Sequence, residues 1–190
     1  MVSSFCLPGD VTPEWFRHQS WGSSVTFQLS SYRASSEFFG FFLCALIACH
    51  SFNRNLQVKC TYHFRNKDGD SHDLYCYLYD WDDENFIDSD HVFVGFDPCL
   101  VAKEEDMFSE YSEVSVEFQP EDINGDLLPL DRCQVVECGV RLLHANDGLE
   151  AMFQAKRAKR AMLPDDDMIW ESGFDKVIRR RKKRANLLIF

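Results

Sequence analysis

Apolar and polar residues alternate with a period of two in one run after another along the first 146 residues, and turn-forming residues bound each run. Only an extended strand places every second side chain on the same face. A chain patterned this way is expected to form antiparallel strands with one buried and one wet face. Leu56, Val58, Cys60, Tyr62 and Phe64 alternate with Gln57, Lys59, Thr61 and His63. The run Asn66 to Asp70 follows, and its Asp68-Gly69 pair suits a tight hairpin because glycine tolerates positive φ. Leu74, Cys76 and Leu78 then alternate with Tyr75, Tyr77 and Tyr79. Val114, Val116 and Phe118 repeat the pattern, as do Val136, Cys138, Val140 and Leu142, with Glu137, Gly139 and Arg141 between them.

Phe38 to Ala48 is apolar on both faces, which fits a central strand, or one whose outer face is covered by another part of a larger protein. Periodicity alone also admits a helix there; Gly40 and the Phe and Ile residues favour a strand. Seven to nine strands with no internal repeat give an all-β antiparallel β-sandwich of the jelly-roll or Ig-like kind over residues 1–148. From Leu149 the texture changes to good helix formers, Glu150, Ala151, Met152, Gln154, Ala155, Lys156, Ala158, Lys159 and Ala161. Residues 149–190 are therefore expected to hold a helix of about 14 residues ending before Pro164, then a basic tail.

The 190 residues suffice for one domain, and 45% hydrophobic residues can fill its core. The formal charge of -11 is unevenly spread. Residues 151–190 carry 11 Lys and Arg against 5 Asp and Glu, while the first 150 carry 9 against 26. So acidic a body argues against a nucleic-acid face on the sandwich, and no direct nucleic-acid partner is expected. Eight cysteines scattered through strands in a chain this apolar read as reduced, buried thiols of a cytosolic protein. The longest apolar run, Phe38 to Cys49, is well short of the ~20 residues that cross a bilayer. It lacks a basic flank and a cleavage site, so neither a membrane span nor a signal peptide is expected.

Neither a metal site nor a catalytic centre is expected. Cys44 and Cys49 are five apart, as are Cys133 and Cys138, and an odd separation in a flat strand sends side chains to opposite faces unless a bulge intervenes. There is no Cys-x-x-Cys. Cys49-His50 could suggest a nucleophile and its base, yet adjacent strand residues point apart.

The segment Asp80-Trp81-Asp82-Asp83-Glu84-Asn85-Phe86 sets four carboxylates around aromatics in a loop without calcium-site spacing. It reads equally as a solvated connection and as a recognition loop, since exposed Trp and Phe are the kind of anchor that carries binding energy. Trp81, Asp83, Asn85 and Phe86 are the candidate contact residues, followed by the connection from Leu100 to Tyr111. Asp122-Ile123-Asn124-Gly125-Asp126 reads as a solvated turn. Trp15, Phe16, Trp21 and the row Tyr75, Tyr77 and Tyr79 could make a sugar-stacking platform, with Trp15 and Phe16 read first as packing residues and the tyrosines as an alternative protein contact. The six consecutive cations Arg179, Arg180, Arg181, Lys182, Lys183 and Arg184 meet the physical requirement for the acidic groove of a nuclear import receptor, an importin.

The start of the chain carries motifs in a fixed order: Pro8-Gly9, then Pro13-Glu14-Trp15-Phe16-Arg17-His18-Gln19-Ser20, then Gly22-Ser23-Ser24 running into Val25-Thr26-Phe27-Gln28-Leu29. This order resembles the C-terminal jelly-roll and Ig-like domain (C-JID, or post-LRR domain) that follows the leucine-rich repeats of plant TIR-type NLR disease-resistance receptors. Phe38 to Ala45, Asp90 to Asp97 and Cys138 to Leu143 fit the same pattern, so the resemblance spans most of residues 5 to 146. Val11-Thr12 stands where the family usually has Glu-Ile, and Tyr32 where a Trp is common.

The resemblance implies a sandwich at the C-terminal end of a longer receptor, so Met1 is read as an artificial start. The parent would carry a TIR domain that cleaves NAD, a nucleotide-binding switch and the repeats. None of the residues of the first two lie here, so this chain is expected to be neither NADase nor ATPase and to bind no cofactor. It would contact a pathogen effector together with the leucine-rich repeats, relieving autoinhibition and permitting a receptor tetramer. Cytoplasmic location, with nuclear import through residues 179–184, completes the expectation. The rivals are a carbohydrate-binding jelly roll and a hydrolase built on a β-sandwich.

Overall fold

The computed structural model describes residues 2–29, 38–50, 56–79, 89–98 and 111–144. Nine strands run through them: β1 Ser3–Pro8, β2 His18–Trp21, β3 Ser24–Gln28, β4 Phe38–Cys49, β5 Leu56–Arg65, β6 Ser71–Tyr79, β7 His91–Asp97, β8 Glu113–Asp122 and β9 Cys133–His144. They form a five-stranded sheet in the order β1-β7-β4-β9-β2 and a four-stranded sheet in the order β3-β8-β5-β6. Every pairing is antiparallel. The region 149–190, with its expected helix and tail, lies outside the described residues.

The period-two runs do what alternation requires. Phe41, Leu43, Ala45, Ile47 and Cys49 of β4 meet Leu56, Val58, Cys60, Tyr62 and Phe64 of β5 and Val114, Val116 and Phe118 of β8 in the core between the sheets. The opposite parity of β4, Phe42, Cys44 and Leu46, joins Val92, Val94 and Phe96 of β7 and Leu143 of β9 in a second cluster on the outer side of the five-stranded sheet. Thus β4 is a central strand between β7 and β9, buried on both faces, and Cys44 and Cys49 do face opposite ways. The Asn66–Asp70 hairpin forms as the sequence suggests, with Gly69 at φ 95°.

In β9 the expected phase is corrected. The β4–β9 register shifts between Leu46, opposite Glu137, and Ile47, opposite Val135. Val136 is the extra residue, and it packs toward the outer cluster while Val135 enters the core. An inserted residue reverses parity, so Val136 does not share a face with Cys138, and Cys133 and Cys138 both reach the inter-sheet core instead of pointing apart. A polar contact crosses that core: the buried Tyr62 hydroxyl donates to Oδ2 of buried Asp97 at 3.1 Å. Burial pushes the Tyr62 phenol well up, which keeps it a donor.

Candidate functional site

Trp81, Asp83, Asn85 and Phe86 lie outside the described residues, but the strands that launch their loop do not. Gln57 at the start of β5 pairs with Tyr79, the last residue of β6, on one side and with Glu121, near the end of β8, on the other. Its side chain also donates to the Asp122 carbonyl at 2.9 Å. On the second sheet, His91 at the start of β7 faces Pro8 of β1 and Ile47 of β4. Both roots of the acidic loop therefore emerge at the end of the sandwich that carries the turn after β8, the segment leading into β9 and the end of β4.

The turn after β8 is exposed, as its sequence suggests, and internally hydrogen-bonded. Asp122 Oδ1 accepts from the backbone N–H groups of Asn124 at 2.8 Å and Asp126 at 2.9 Å. The Asp122 N–H donates to the Asp126 carbonyl at 2.9 Å, and Glu121 bridges Leu127 across the turn. These bonds hold the Asp122 carboxyl below the usual carboxylate range, the Asp126 amide most of all. Asn66 builds the β5–β6 hairpin in the same way, accepting from Asp68 and Asp70. Ile123 on this turn is 65% exposed, Leu127 at its closing bridge 65%, and Leu130 in the following turn 77%. The signal was present as four aliphatic residues, Ile123, Leu127, Leu128 and Leu130, in a turn-rich stretch.

Leading to the same end, Tyr75, Tyr77 and Tyr79 form a row on the outer face of β6. Their ring centroids are 5.8 Å apart at each step. Lys59 Nζ sits 5.5 Å from the Tyr75 ring and 3.8 Å from Glu121. Partial burial raises the Tyr77 and Tyr79 phenols, leaving all the more reason for them to act as neutral donors. Farther along this face, Thr26, His63, Arg65, Glu113 and Ser115 line an open depression of about 300 Å³. His63 turns Nδ1 to Asp73 at 2.9 Å and Nε2 to Glu117 at 3.6 Å, while the Ser115 hydroxyl accepts from Thr26 at 3.0 Å. Both imidazole nitrogens thus face carboxylates, and the serine is not aligned with them as a nucleophile would be. Among the described residues, no group of three or more His, Cys, Asp or Glu could hold a metal ion.

The single aromatic platform envisaged from sequence does not exist. Trp15 and Phe16 stack at 4.1 Å on the outer side of the five-stranded sheet, where Trp15 also meets Phe42 edge-on at 5.5 Å. The tyrosine row lies on the outer face of the other sheet, with the whole core between them. Phe16 is buried, as its packing role requires, and a Cβ at Gly139 would lie 3.0 Å from the Phe16 Cβ. Arg141 fixes the motif by donating to the Trp15 carbonyl at 3.2 Å and lying 6.0 Å from its ring. Trp21, at the end of edge strand β2, stands apart and is 79% exposed. Tyr111 packs on Phe64 at 5.8 Å, whereas residues 99–110 before it, and the cations Arg179, Arg180, Arg181, Lys182, Lys183 and Arg184, lie outside the described residues.

The chain is 31% identical over 144 residues to the disease resistance protein LAZ5 of Arabidopsis thaliana, an alignment covering 73% of this chain and 12% of that protein. It is 27% identical over 170 residues to the disease resistance protein RPP2B of the same plant, covering 80% and 14%. To the disease resistance protein RPS4 it is 28% identical over 156 residues, covering 76% and 13%. The chain therefore spans only about an eighth of the length of these relatives. The profile of the C-JID domain matches residues 7–148, a span that begins at Leu7 in β1 and takes in β2 to β9. The chain belongs to the C-JID domain family.

Proposed function

We propose that this chain is the non-catalytic recognition module of a plant TIR-type NLR immune receptor. In this reading it contacts a pathogen effector together with the leucine-rich repeats and helps control receptor activation. Membership of a family found in disease resistance proteins supports the immune role. The observation that carries the recognition role is the gathering of potential contacts at one end of the sandwich. The roots of the Trp81–Phe86 loop, the bonded turn carrying Ile123, and exposed Leu127 and Leu130 converge there. Stiff strands lower the ordering cost of binding, and apolar anchors in polar surroundings supply its energy.

The NADase activity of the parent belongs, in this reading, to a TIR domain beyond this chain. The receptor acts in the cytoplasm and, through the cluster at Arg179 to Arg184, in the nucleus, with an importin as partner. The decisive variant is Trp81→Ala with Phe86→Ala in the full receptor. Loss of the immune response, with the melting temperature of the 190-residue chain unchanged, is the expected result. A drop of several kcal/mol in stability would mean that the two rings close a satellite core, and the recognition role of that loop would fall.

A further inference from the structure

We propose that Cys49 and Cys133 form a two-electron redox site, a dithiol that closes to a cross-strand disulfide joining the end of β4 to the start of β9. The two residues are direct partners in the β4–β9 ladder, and their sulfurs approach to 2.8 Å. An S–S bond is about 2.05 Å long, so closure needs a movement of less than roughly an ångström.

The ladder itself selects this pair. His50 N–H donates to the Arg132 carbonyl at 2.8 Å, making His50 and Arg132 a hydrogen-bonded pair and their neighbours Cys49 and Cys133 a non-hydrogen-bonded one. At such positions backbones approach more closely and side chains face each other, within the Cα separation a disulfide tolerates. A second opposed pair, Cys60 and Cys76 on β5 and β6, is the competing site within the same chain. The bond from Asn66 N–H to the Asp70 carbonyl sets the phase of that ladder, and alternate pairs counted from it make Cys60 and Cys76 a wide, hydrogen-bonded pair. Those two thiols also lie within hydrogen-bonding reach of each other, with further contacts from Cys60 to the Val58 carbonyl and from Cys76 to the Tyr62 hydroxyl.

Both sulfurs of the proposed site are buried, but they sit at strand ends beside exposed His50 and Arg132, so oxidation requires only a local opening of these ends. The hydrogen bond from Cys49 and the charge of Arg132 pull the Cys133 thiol down, whereas that same bond and burial push Cys49 up. Within this proposal Cys133 is assigned the attack because it adjoins Arg132, whose positive charge favours its thiolate. With hydrogen peroxide as oxidant, the Cys133 thiolate attacks one peroxide oxygen. Hydroxide leaves and takes up a proton as water, giving a sulfenic acid on Cys133. The Cys49 sulfur then displaces that oxygen as a second water. Two thiols lose two protons and two electrons, and one peroxide becomes two waters.

The bond would close a loop between residues 84 apart in sequence, which restricts the unfolded chain strongly. It would also anchor the segment Leu127–Arg132, which feeds directly into Cys133; any effect on recognition rests on the reading above, but the disulfide does not. The test treats the 190-residue chain, freed of reductant, with hydrogen peroxide, then alkylates under denaturing conditions. Expected are the loss of two thiols, a cross-linked peptide containing Cys49 and Cys133, reversal by dithiothreitol, and a melting temperature raised by on the order of 10 °C. Cys133→Ala should abolish both the cross-link and the shift, and Cys60→Ala should retain both. A cross-link between other cysteines, such as Cys6 with Cys49, would overturn the proposal. So would sulfinic acid at Cys133 without a cross-link, or eight thiols remaining after such treatment. Loss of the immune response in the cysteine variants is not required, so failure here and failure of the recognition reading are separable.

Discussion

The Ser4 hydroxyl accepts a hydrogen bond from the Tyr79 N–H at 2.9 Å and donates one to the Tyr79 carbonyl at 3.2 Å. Ser4 lies on β1 of one sheet and Tyr79 ends edge strand β6 of the other, so one side chain stands in for a missing strand partner and clasps the two sheets together. The residue after Tyr79 begins the acidic loop, which makes this clasp the mechanical root of the candidate recognition surface. An edge left open would also invite pairing with other chains.

Ser4→Ala should cost about 1 kcal/mol and speed hydrogen exchange at the Tyr79 amide, while Ser4→Thr should preserve both. Urea unfolding and exchange followed on the same samples check this. Unchanged protection at Tyr79 in the alanine variant would show that the clasp is incidental.

Gly40 has φ 147°, and a Cβ there would overlap the Asp97 carbonyl oxygen and press on the Phe96 ring. Gly40→Ala should therefore destabilise by about 3 kcal/mol or more. Gly69→Ala, at φ 95° with open space around it, should cost only about 1 kcal/mol. The ratio of the two losses in urea is the measurement; equal losses would mean that the β4–β7 seam yields easily.

Local pattern was enough to find much of this fold, and its limits are physical. The alternation in β5, β6 and β8 and the double-faced run of β4 specify burial directly, because each pattern states which sides of a strand are apolar. In β9 the pattern misleads: Val135 and Val136 are both apolar, and only pairing with β4 decides which is the inserted residue. Strand β2, His-Gln-Ser-Trp, has no apolar alternation and is held by its edge pairing with β9. The aromatic motifs were legible as residues but not as places, since assignment to opposite faces of the sandwich depends on strand order. Opposition of Cys49 to Cys133 likewise comes from tertiary register, with no local signal to announce it.

His18 stacks on Phe27 at 4.2 Å, and its pKa is lowered from 6.5 by burial and by Arg17. The unfolded chain therefore takes up this proton first as pH falls. The stabilising contribution is full above about pH 6.5 and declines as pH drops toward the folded value. Asp122, with its lowered pKa, acts in the same direction at more acid pH. Urea midpoints measured from pH 7 to pH 5 should fall less steeply in His18→Gln than in the native chain. Parallel slopes would contradict the assignment.

Residues 176–190, from Lys176 to Phe190, fused to a large fluorescent reporter, should carry it into nuclei. Neutralising Arg179 to Arg184 should leave the reporter in the cytoplasm, and the same change in the chain should not alter its melting temperature. Exclusion of the unmutated fusion from nuclei would assign the six cations to solvated charge or to an acidic binding surface elsewhere.

The most direct measurement of the proposed recognition role is hydrogen exchange on the full receptor, alone and co-purified with candidate effectors. Protection is expected to concentrate at one end of the sandwich, in residues 80–90 and 122–132, with the hairpin Asn66–Asp70 at the other end unchanged. Protection confined to the leucine-rich repeats, with residues 80–90 and 122–132 exchanging as in the free receptor, would contradict effector contact by this domain.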